Sequence, residues 1–178
     1  IIQQFAQQHK HIKCINLFDY QLEGKKNAIR TAIASTQAEL IVTTDADCEA
    51  PKDWIKTIAL FYKQTQAKMI VAPVVFEKTN SAFQKMQSLE MAALMASAAG
   101  SLYFNKAIMC SGANLAYPKK IFEVVGWFNN INQQATGDDV LLMYKIKKQY
   151  GCGIWFLKNI NAVICTKGQT TITQFIYQ

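Results

Sequence analysis

Arginine is almost absent. Arg30 is the only one among 19 basic side chains, which face 12 acidic ones for a net charge of +7. Specific reading of nucleic-acid bases leans on bidentate arginine. A positive charge carried by lysine points instead to phosphate ligands or anionic headgroups, with nucleic acid ranked below both. The five cysteines (Cys14, Cys48, Cys110, Cys152 and Cys165) are scattered, odd in number and without a Cys-x-x-Cys pair. That spacing disfavours a zinc site and a disulfide framework, and fits reduced thiols in a cytoplasmic compartment. Only two histidines occur, His9 and His11, with no partners in spacing, and they read as surface residues. There is no internal repeat, low-complexity tract or linker. The opening Ile1-Ile-Gln-Gln-Phe lacks the basic leader and apolar run of a signal peptide. Met91–Asn105 carries no charge, yet is too short and too rich in Ala, Ser and Gly to span a bilayer. It reads as a buried or interfacial helix.

What is present is a globular composition: 178 residues, 51% hydrophobic and 17% charged, enough for one domain with a real core. Strand-like and helix-like patterns alternate. Ile12–Phe18, Leu40–Thr44, Lys68–Phe76, Asn114–Tyr117, Gly153–Leu157 and Ala162–Thr166 read as strands. Residues 1–9 read as the tail of a helix. Lys26–Ser35, Pro51 to about Thr65, residues 81–99, Lys119–Val125 and Val140–Tyr150 read as helices, and Thr171–Tyr177 as the start of another. Trp54, Ile55, Ile58 and Phe61 or Tyr62 are expected to face inward. Such alternation predicts an α/β fold with a largely parallel sheet.

The most telling run is Glu39-Leu-Ile-Val-Thr-Thr-Asp-Ala-Asp47. A buried strand ending in Asp-x-Asp places charge at the carboxyl edge of a sheet, where α/β proteins bind ligands. Hard oxygen ligands there suit Mg²⁺ or Mn²⁺ against a diphosphate; the competing reading is local turn chemistry at Asp45 and Asp47. Gly24-Lys25-Lys26-Asn27 opens a helix whose free N–H groups suit phosphate, unless it is only a solvated basic turn. Gly137-Asp138-Asp139 precedes an apolar helix. Adjacent carboxylates repel one another and suit a base that takes a proton from a hydroxyl, although Thr136-x-x-Asp139 also fits a capping box. Cys110-Ser-Gly-Ala-Asn114 allows close approach to the backbone, or packs a tight loop. Trp127 and Trp155 are aromatics of the kind that sit in cores more often than under sugars.

In this order the segments resemble family 2 glycosyltransferases of GT-A fold. The matching pieces are Gly24-Lys-Lys-Asn-Ala-Ile29, Thr44-Asp-Ala-Asp-Cys48 with Pro51-x-x-Trp54-Ile55, Ser111-Gly-Ala-Asn-Leu-Ala-Tyr117 with Phe122-x-x-Val-Gly-x-Phe128, and Gly137-Asp-Asp-Val-Leu-Leu142. Thr171–Gln178 resembles the approach to the family's Gln-x-x-Arg-Trp motif, with Gln178 as its Gln. The resemblance implies an inverting, metal-dependent enzyme with a GT-A-like (Rossmann-like), mostly parallel sheet flanked by helices. Asp47 and Asp45 would hold the cation and the nucleotide-sugar diphosphate, and Asp139 would be the catalytic base with Asp138 beside it. Lys25 would border the nucleotide, with Gly112 and Asn114 near the acceptor pocket. The acceptor would be a glycan or a lipid-linked sugar. Tyr117-Pro118-Lys119 departs slightly from the relatives, in which an Arg often follows the Tyr.

The resemblance also implies that residues 1–178 form one partial catalytic domain of a longer, membrane-associated enzyme working at the cytoplasmic face. The family's first strands would precede Ile1, leaving bare edges on Ile12–Phe18 and Leu40–Thr44 that invite self-association. Two rivals stand beside this reading. One is a nucleotidyltransferase, which also uses an acidic metal site on an α/β sheet. The other is an inactive fragment or basic interaction module.

Overall fold

A computed structural model describes residues 2–20, 22, 24–78, 81–126 and 137–171. The chain divides into two compact units, Ile1–Ala38 and Glu39–Gln178.

The first unit holds helices α1 (Ile2–Gln8) and α2 (Lys25–Ala34) and a 3-10 turn at Leu17–Tyr20. The strand expected at Ile12–Phe18 does not form. Asn16 turns the chain instead: its Oδ1 accepts from the Phe18 amide at 3.2 Å and its Nδ2 donates to Asp19 at 3.3 Å. A strand must pair its backbone groups, and no other strand lies in this unit among the described residues. Phe18 ends 82% exposed.

The second unit is built on β1 (Leu40–Thr43), α3 (Trp54–Thr65), β2 (Met69–Val71), β3 (Val74–Phe76), α4 (Ala82–Tyr103), β4 (Leu115–Pro118), α5 (Lys119–Val124), α6 (Asp138–Tyr150), β5 (Ile154–Phe156) and β6 (Ile164–Thr166). The main sheet has the order β1-β4-β2-β5, and β3 and β6 form a second, parallel pair. β4 runs antiparallel to both neighbours while β2 and β5 are parallel, so three strands point one way and β4 the other. The expected strand over Lys68–Phe76 is split between the two sheets. Pro73 lacks the N–H that a continuous ladder needs, and the chain leaves the main sheet there.

The core explains the elements. Met69, Ile70 and Val71 are buried on both faces of the sheet, as are Leu115, Ala116 and Tyr117. Trp54 and Ile58 of α3 pack with Ile70, Ala116, Leu157 and Ile164. Met95 of α4 packs with Val74 and Ala113. Leu142, Met143 and Ile146 bury the inner face of α6. Burying each such side chain contributes about 1.5–3 kcal/mol. Ile55, expected inward, is 53% exposed, because it lies a quarter-turn round α3 from the buried row at 54 and 58. Helix α6 stops at Gly151, whose φ of 70° suits a residue without a side chain. Uncharged Met91–Asn105 is mostly helix α4, with one buried stripe at Met95, Ala98 and Leu102. Among the described residues no helix is long and apolar enough to cross a membrane.

Candidate active site

The registers place Thr43, Leu115, Val71 and Phe156 in one row across the main sheet. The carboxyl ends of β1, β2 and β5 and the start of β4 therefore share one edge. The Asp45–Asp47 loop leaves this edge from β1, and Gly112–Asn114 arrives at it as a 3-10 turn before β4.

Three links tie the edge together. The Thr43 hydroxyl donates to the Gly112 carbonyl at 3.2 Å. The Asp139 carboxylate lies directly on Gly112: a Cβ at Gly112 would stand 2.6 Å from its Cγ and 2.9 Å from its Oδ1. No real Cβ tolerates that spacing, so only glycine fits beneath this carboxylate. Asp47 Oδ2 accepts from the Thr166 hydroxyl at 3.3 Å, and Glu49 and Cys165 exchange backbone hydrogen bonds of 2.7 and 2.9 Å. The acidic loop is thus anchored to the end of β6.

Asp138 and Asp139 open α6, after Gly137 at φ 84°. The side chain of Asp139 reaches out of its own helix to the β4 approach. Its negative charge is felt there. Cys110 and Tyr117 are both held protonated, by burial first and by Asp139 second. Asp138 is half-buried beside it. The capping partner expected at Thr136 lies outside the described residues, as do Trp127 and Gln178.

Asn114 is placed differently from the expectation of an acceptor contact. It is fully buried. Its Oδ1 accepts from the Trp54 indole at 3.0 Å, and its Nδ2 donates to the carbonyls of Pro73 at 2.8 Å and Ala162 at 2.7 Å. These bonds occupy the amide inside the protein, so Asn114 bolts α3, the β2–β3 crossover and the turn before β6 around the site. Lys25 is the exposed first residue of α2, in the first unit, behind Gly24. Trp155, read as core, is half exposed.

Among the described residues no group of three or more His, Cys, Asp and Glu side chains is gathered for a metal. Mg²⁺ commonly takes one or two carboxylates and completes its shell with substrate phosphates and water. Asp45 and Asp47, an oxygen-only pair at a strand end, fit that donor set.

The model of the family described as "Glycosyl transferase family 2" matches residues 1–126. The chain belongs to glycosyl transferase family 2. The match takes in Lys25, Asp45, Asp47, Gly112 and Asn114, and ends before Asp138. No curated protein matches the chain. As a family 2 domain it is a transferase of glycosyl groups, and its mixed α/β sheet with flanking helices agrees with a GT-A-like fold. The sequence marked the acid positions and named Trp54 and Thr166 within its motifs, but not the bonds from Thr43, Thr166 and the Trp54 indole, whose partners lie far along the chain.

Proposed function

We propose that the protein transfers a sugar, with inversion, from a nucleotide-sugar donor to an acceptor hydroxyl of a glycan or lipid-linked sugar, with Mg²⁺ or Mn²⁺ bound. The observation that supports it is the seating of Asp139 on Gly112, at the sheet edge from which the Asp45–Asp47 loop departs. In this reading Asp139 accepts the proton of the acceptor hydroxyl. The freed oxygen bonds to the anomeric carbon as the bond to the donor phosphate breaks, and that electron pair leaves with the nucleoside diphosphate. Asp47 and Asp45 hold the cation, which when bound stabilises the charge of the leaving diphosphate as a Lewis acid. Asp138 adds negative charge beside the base, and the family resemblance assigns Lys25, at the start of α2, and Gln178, outside the described residues, to substrate binding. Asn114 acts as a structural bolt in this reading.

We further infer work at the cytoplasmic face of an anionic membrane. No acidic residue lies between Glu90 and Glu123, and none follows Asp139. At the end of α4 and the start of β5 a groove of about 560 Å³ is lined by Phe61, Leu102, Tyr103, Trp155, Phe156 and Lys158. Tyr103 is 85% and Trp155 51% exposed. Lys147 joins the same end of α4 through the Asn105 carbonyl at 2.7 Å. Aromatics with lysines suit a headgroup layer. The edge strands β1 and β5 are the places at which a second copy would add.

Product analysis tests the reaction class. Incubation with a panel of sugar nucleotides, acceptor and Mn²⁺ is expected to release nucleoside diphosphate and give a product of inverted anomeric configuration. Nucleoside triphosphate formed on supplying pyrophosphate would establish the nucleotidyltransferase instead.

A further inference from the structure

Two amides of α4 grip the chain that follows β6. Gln87 and Asn114 are the buried polar side chains of the described residues. Gln87 Oε1 accepts from the Gln169 amide at 2.9 Å, and its Nε2 donates to the Gln169 carbonyl at 2.9 Å. Both backbone groups of one residue are thereby satisfied, as a neighbouring strand would satisfy them. One turn earlier on the same helix, Gln84 Nε2 donates to the Gly168 carbonyl at 3.1 Å. The fit is close: a Cβ at Gly168 would meet Gln87 Oε1 at 3.4 Å.

Burying an amide is costly unless it is fully bonded. A leucine of similar volume would fill the same space on the apolar stripe of α4. What the amide adds is a fixed position for the backbone at 168–169. Two residues before Gly168 stands Thr166, whose hydroxyl holds Asp47 at 3.3 Å. Thr166 itself is paired with Phe76 in the β3–β6 ladder, and the α4 amides add a hold on the chain two residues beyond it.

We propose that Gln87 is a positioning residue for the cation-binding carboxylates. It fixes Gly168–Gln169 and so keeps the Thr166 hydroxyl on Asp47, orienting that carboxylate. The inference rests on the assignment of Asp45 and Asp47 as cation ligands. Hydrogen-bond partners of ligating carboxylates commonly change metal affinity by 10–100-fold when removed.

The test is Mn²⁺ affinity, read by water-proton relaxation on the whole protein, with far-ultraviolet circular dichroism to verify folding. Thr166→Val and Gln87→Leu are each expected to weaken Mn²⁺ binding about tenfold. The double variant is expected to be no weaker than the weaker single one, because both act through one hydrogen bond. Gln87→Glu keeps the acceptor for the Gln169 amide and loses the donor, and should fall between wild type and Gln87→Leu; it carries the test should Gln87→Leu not fold. Mn²⁺ affinity unchanged in Gln87→Leu, or losses that multiply in the double variant, would overturn the inference. The paired variant Asp45→Ala, Asp47→Ala separates the two claims. If it loses Mn²⁺ while Gln87→Leu does not, only the role of Gln87 falls. If it binds Mn²⁺ as wild type does, the ligand assignment and the inference fall together.

Discussion

The Asp139 carboxylate rests on the bare Cα of Gly112, and a side chain of any size at 112 would displace it. Gly112→Ala is therefore expected to cost about 1–3 kcal/mol by overpacking and to slow transfer by more than tenfold, roughly the worth of a misplaced base. The stability loss should vanish when Asp139→Ala is added, since the two residues then no longer collide. Thermal unfolding of the four proteins checks this. Equal losses with and without the aspartate would show that Gly112 is needed for something else.

Asn114 carries three hydrogen bonds inside the protein. Asn114→Leu leaves the Trp54 indole and the Ala162 carbonyl without that partner, while the Pro73 carbonyl keeps its bond from the Ile164 amide; the cost is about 2–6 kcal/mol in all. Trp54→Phe strips one donor and should cost less. Urea unfolding measures both. A marginal change in Asn114→Leu would place that amide at a ligand rather than in the frame.

Burial, and then the charge of Asp139, raise the Cys110 thiol above its ordinary value of 9.0. A folded-state pKa above the unfolded one gives stability that is complete below pH 9.0 and lost as pH climbs beyond it. Tyr117 acts in the same direction from its ordinary value of 10.0. The urea midpoint should hold steady at neutral pH and drop by about pH 10.5. At about pH 8, thiol reagents should modify exposed Cys14 and Cys152 and spare Cys110. Rapid labelling of Cys110 in the folded protein would contradict its placement.

The lysine and aromatic face should bind vesicles containing phosphatidylserine and ignore pure phosphatidylcholine, with binding lowered by salt. Replacing Lys158, which lines the groove, with Gln should cost about 1 kcal/mol, roughly fivefold. Sedimentation with vesicles reads this directly. Equal binding to both lipids, or by both proteins, would rule out a membrane role for this face.

Much of this was legible in the sequence because it is local. Apolar stripes gave α2, α3 and α6, and the strand running into Asp-x-Asp marked the sheet edge. The rest depends on partners far along the chain. The reversal of β4 cannot be read from Leu-Ala-Tyr-Pro, a run buried throughout with no alternation. Pro73 carried the signal for the break between β2 and β3, and Asn16 the signal against a strand at Ile12–Phe18. Glutamine at 87, on the buried stripe of α4, was a polar residue in an apolar row; its partner Gln169 is 82 residues away. Asn114 likewise reads as a ligand in isolation and becomes a bolt only once Trp54, Pro73 and Ala162 surround it.

We propose Asp139 as the group that takes the proton in glycosyl transfer. The most direct measurement is the turnover of Asp139→Asn at saturating donor beside its affinity for that donor. A fall in turnover of about 10²–10⁴-fold, with donor affinity within about twofold, is the predicted result. Turnover at the wild-type rate would contradict it.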